Sequence, residues 1–60
     1  MDEFLYDKKD SFQNNFARWY HMNCTEREMY NEKPLTKKEA LSVFENFLGR
    51  RFPNLIYRID

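Results

Sequence analysis

His21 and Cys24 stand three residues apart, a spacing that puts an imidazole and a thiol on one face of a helix. Two chemistries use such a pair. A structural zinc site needs four ligands, usually Cys and His, and the chain holds one of each. A thiol nucleophile needs a lowered pKa, an oxyanion site and a pocket. A pocket of even about 300 Å³ would consume the core that so short a chain can build. The carboxylate pairs Glu26/Glu28 and Asp7/Asp10 have no such supporting site either and read as solvated surface. The residues predict no catalytic set, no metal site and no cofactor, so the chain is expected not to be an enzyme.

Binding chemistry is better represented. Arg18 beside Trp19 and Tyr20 resembles a stacking patch for single-stranded nucleic acid, but the core has first claim on those rings. Lys37, Lys38, Arg50, Arg51 and Arg58 are the cations a nucleic-acid binder would use. Arg50 and Arg51 end one helical pattern, where cations complement the helix dipole, and Lys37 and Lys38 begin it. Eleven residues of 60 are Phe, Tyr or Trp. They cannot all be central in a body of this size, so some must lie outside. Tyr, Met and Arg are enriched in protein interfaces. Met29, Tyr30, Phe52 and Tyr57 fall outside the strong helical faces and are the predicted contact residues, with Arg51 and Arg58 in the polar rim.

Two helices must position these groups. Thr36 and Glu39 form a capping-box pattern, with Leu35 and Ala40 as the hydrophobic staple. Ala40, Leu41, Val43, Phe44, Phe47 and Leu48 then follow helical period. Gly49 stands where a left-handed C′ residue is wanted, and Pro53 limits further helix. These signals predict a helix over 36–49. A second is expected over 10–23, with Asp10 or Ser11 as N-cap and Phe12, Phe16, Trp19, Tyr20 and Met22 on its apolar face. Thr25 with Glu28 is another capping-box pattern, which offers a short third helix over 25–32; a strand over 28–32 is the rival. Residues 3–6 and 54–59 read as extended termini that could pair. The expected fold is mainly α, two packed amphipathic helices, with α+β carrying two or three short strands as the alternative.

Sixty residues make one small domain, which buries only about 60% of its unfolded surface. Such scaffolds usually need staples, and here the aromatic share of 18% stands in for them. One cysteine permits no internal disulfide and points to a reducing, cytoplasmic setting. The first ten residues mix charges and form no signal peptide, and no apolar run approaches a membrane span. The chain from Met1 reads as a complete protein. Ten cations balance ten carboxylates, which disfavours general nucleic-acid binding, where phosphate contacts supply the affinity. By exclusion the sequence predicts a non-enzymatic protein-binding module, a regulator or inhibitor of a larger cytoplasmic protein, as is common among small bacterial and phage regulators. Its contact is expected with a protein partner or a second copy, not with a membrane. The alternative is a small, dimeric nucleic-acid-binding regulator.

Overall fold

Ser11 starts the first helix. Its backbone is extended, and its hydroxyl accepts the Asn14 N–H at 3.0 Å, which satisfies one of the free donors of the first turn. Asp10 is the support and not the cap: its Oδ1 accepts the Ser11 N–H and the Asn14 amide. In the computed structural model, which describes residues 4–57, this helix is α1, Phe12–Met29, and it is followed by α2, Lys37–Arg51. The described residues contain no strand. The protein is mainly helical, two packed helices joined by the connection 30–36.

The stretch expected as a third helix is helical through Met29 but continuous with α1. Thr25 does not open a new cap. Its hydroxyl donates to the His21 carbonyl one turn back, so the chain has no break there. The helix ends at Asn31, which takes the left-handed conformation with φ 57°. The Asn31 N–H bonds Glu28 O at 3.0 Å and the Glu32 N–H bonds Arg27 O at 2.8 Å, the paired closure of a Schellman motif.

α2 opens as its sequence predicts. Thr36 Oγ1 accepts the Glu39 N–H, and the Glu39 carboxylate accepts the Thr36 N–H. Its end differs. Gly49 is an interior helical residue with no positive φ, and the helix runs on to Arg51. Pro53 sets the stop, because the residue before a proline is disfavoured in the α region, and Phe52 is found at φ −130°, ψ 67°. Pro53 and Asn54 then form a turn closed by the Leu55 N–H on Phe52 O.

Phe44 is the centre of the core. It is fully buried and its ring lies 5.1–5.7 Å from those of Trp19, Phe12, Phe16 and Phe4. Ala40 and Leu48, one turn to either side, are also fully buried, and Val43 is turned outward. Tyr20 meets Leu35, before α2, and Phe12 meets Phe44, midway along it, so α2 runs back across α1. The N-terminal residues form an arm that covers one flank. Phe4 packs edge-on against Phe44 and Phe47, and the Arg18 guanidinium lies over its ring, 5.4 Å from the centroid. Residues 4–6 and 55–57 form no strand, and Asn54 belongs to the turn after α2; Glu3, Arg58 and Ile59, the remaining parts of the expected termini, lie outside the described residues.

Asn15 fastens the arm. It is the one fully buried polar side chain among the described residues. Its Oδ1 accepts the Asp7 N–H at 2.7 Å, and its amide donates to Asp7 O at 2.9 Å and Ser11 O at 2.8 Å. Arg18 supplies the remaining donor to Oδ1. All four hydrogen-bonding positions of the amide are filled, so its burial carries no desolvation penalty from an unmade bond.

Candidate protein-binding surface

The predicted contact residues separate into two places. Met29 and Tyr30 stand at the C-terminal tip of α1, 69% and 68% exposed. Tyr57 lies at the other end, stacked on Phe12 at 5.3 Å and near Tyr6 at 6.0 Å. Eighteen residues of α-helix put these ends about 26 Å apart. Phe52 is half-buried on Phe47, at the end of α2. Phe52 and Tyr57 both pack against the core cluster. Arg51 is exposed at the last position of α2, and Arg58 lies outside the described residues.

The tip is built on fixed backbone. The Schellman closure holds Tyr30 and Asn31, and Arg27 ties the tip to the following connection. The Arg27 Nε donates to Lys33 O at 2.7 Å, and its guanidinium is 3.9 Å from the Glu32 carboxylate. Glu26 and Glu28 are exposed one turn back or less, so the apolar pair is bordered by carboxylates. Neither Met29 nor Tyr30 belongs to the hydrophobic core or packs against it. The tip therefore overhangs the packed part of the molecule.

The cations of α2 do not gather. Lys37 and Lys38 begin the helix and Arg50 and Arg51 end it, about 20 Å apart. Arg18 is turned to Asn15 and Phe4, and Trp19 is buried against Phe44 and Phe47, so the two do not form an exposed stacking patch. His21 is exposed and Cys24 half-buried on the flank opposite the arm. Among the described residues no three His, Cys, Asp or Glu groups converge as metal ligands, and no helix is long and apolar enough to cross a membrane.

The perturbed acids and phenols belong to the fold. The hydrogen bond from Asn14, then that from the Ser11 N–H, holds the Asp10 carboxyl below its usual range. The Thr36 N–H, then the Thr36 hydroxyl, does the same for Glu39. Burial, then the neighbouring Tyr57 and Asp10, pushes the Tyr6 phenol up; burial, then Cys24, raises that of Tyr20.

Sequence reasoning missed Ile56, which is 93% exposed, and Leu5, at 67%. The signal was present in the alternation Leu55–Ile56–Tyr57: once Leu55 and Tyr57 face inward, an extended chain must turn Ile56 out. It also gave no sign of Asn15, whose partners Asp7 and Arg18 meet it only in the folded chain. No protein-family model, no curated protein and no solved structure matches this chain.

Proposed function

We propose that the chain is a non-enzymatic protein-binding module that regulates or inhibits a larger cytoplasmic protein, and that Met29 and Tyr30 make the central contact. The observation that carries this is the exposure of two adjacent interface-type side chains on a clamped helix end. Pre-ordered backbone lowers the entropy lost on binding. Met supplies adaptable apolar surface, and Tyr supplies a rigid ring with a polar edge. Glu26 and Glu28 provide the polar rim and favour a partner with basic groups around an apolar recess. Phe52 and Tyr57, packed on the core, support the fold in this reading and leave the contact to the tip.

The test is affinity capture with cross-linking from cells that produce the chain, using the wild type and Tyr30→Ala in parallel. A hot-spot tyrosine contributes about 2 kcal/mol or more, roughly a thirtyfold loss of affinity on truncation. The expected result is a protein recovered with wild type and lost with Tyr30→Ala, while the melting temperature stays the same. Recovery of the same proteins by both, or a lowered melting temperature in the variant, would contradict the proposal.

A further inference from the structure

The two-helix core has two flanks, and only one is covered. The arm fills the first: Phe4 seats on Phe44 and Phe47, and Asn15 holds Asp7 above it. On the other side of α1 an open groove of about 490 Å³ runs past Phe16, Ala17, Tyr20, His21 and Cys24 to Lys37 at the start of α2. Its floor is aromatic. Phe16 and Tyr20 are half-buried and stacked, 5.7 Å apart with an 11° tilt. Ala17 is exposed between them and carries no side chain beyond Cβ, so a second backbone can come close. Ala17, Tyr20 and Cys24 recur at helical spacing, the arrangement that accepts another helix along its length.

The charges at the groove point one way. Lys37 carries the charge of its lining, and no carboxylate is among its described lining residues. Lys37 is also the first residue of α2, where the helix dipole adds positive potential. Glu39, the acid of that first turn, is turned back to Thr36. The Tyr20 hydroxyl is already committed to Leu35 O at 2.6 Å, so the floor asks for no polar partner.

We infer that this groove is a second protein-binding site, which takes an amphipathic helix of a partner protein with Asp or Glu beside its apolar stripe. The apolar stripe lies on Phe16 and Tyr20, and the partner's carboxylates meet Lys37. This site is separate from the tip of α1 and does not depend on its role.

Two synthetic helical peptides with the same leucine stripe test it, one carrying Glu and the other Lys at the flanking positions. Each is titrated into the isotope-labelled full chain, and backbone amide shifts are followed. The expected result is saturable shifts at Ala17, Tyr20, Cys24 and Lys37 with the Glu peptide, weaker by roughly tenfold or more with the Lys peptide. Lys37→Glu reverses that order; an acid is tolerated at a helix N-terminus, so the variant folds. Ala17→Lys, at an exposed position, blocks both peptides, and Tyr30→Ala leaves the titration unchanged. Absence of shifts with the Glu peptide, equal response to both peptides, or shifts confined to Met29 and Tyr30 would overturn the inference.

Discussion

The two halves of α1 share one helix and one backbone geometry, yet the first is held by packing and the second by hydrogen bonds. From Phe12 to Met22 the helix lays Phe12, Phe16, Trp19, Tyr20 and Met22 on the core, and Asn15 adds the arm. Toward its C-terminal end the large apolar groups, Met29 and Tyr30, do not pack on the core, and the helix end is held by the Asn31 cap and the bonds of Arg27. The difference teaches where substitution is tolerated. Stability belongs to the first half, and the second can change its surface without touching the core.

Phe44→Ala should break the packed half outright. Removing a fully buried ring that meets five others costs about 3–5 kcal/mol, a large part of the stability available to a small chain. Circular dichroism should show loss of a cooperative thermal transition near room temperature. An unshifted midpoint would mean that the rings around Phe44 do not hold the fold.

Asn15→Ala comes next. It leaves the Asp7 N–H and carbonyl without their partner, at a cost of about 2–3 kcal/mol. The Asp7 amide should lose hydrogen-exchange protection while Trp19 stays packed. Retained protection at Asp7 would show that Phe4 alone fixes the arm.

The start of α2 can be weakened by acid. Glu39 has a carboxyl pKa below its usual 4.5 when folded, so its contribution is present above that value and is lost as pH falls through the folded pKa. Thermal midpoints recorded down through pH 4.5 should fall more steeply for wild type than for Glu39→Gln. Parallel curves would remove the capping box as a source of acid sensitivity.

The helix ends show what could be read from the sequence and what could not. The Thr36–Glu39 box and the Phe44 face were legible because each is a local pattern at fixed spacing. The α1 face was legible through Met22 for the same reason. Gly49 and Asn31 were exchanged in meaning. A lone glycine after an apolar run resembles a C-cap, but Arg50 and Arg51 are good helix formers and carry the helix to the restriction set by Pro53. Asn31 was hidden because Thr25 looked like a new start, and only the structure shows its hydroxyl turned back to His21. Asn15 was illegible for a different reason: its value lies in Asp7 and Arg18, and their convergence on it is tertiary. At the tip, Met29 and Tyr30 stood out as surplus apolar groups, while their separation from Tyr57 followed only once α1 was seen to be continuous.

Gly49→Ala carries the smallest expected effect and reverses sign between the two readings of that helix end. The position is helical without positive φ, and an added Cβ meets nothing within 4 Å. The substitution should stabilise by about 0.5–1 kcal/mol, seen as a raised thermal midpoint. Destabilisation would place Gly49 back in a left-handed cap.

Native-state amide hydrogen exchange compares the two halves of α1 most directly. The amides of Trp19, Phe44 and Leu48 should exchange only through global unfolding, because their side chains are buried in the core. Those of Glu28, Met29 and Tyr30 should exchange faster, through local opening of the overhanging turns that leaves the core intact. Equal protection along the whole of α1 would contradict the division between a packed half and a free tip.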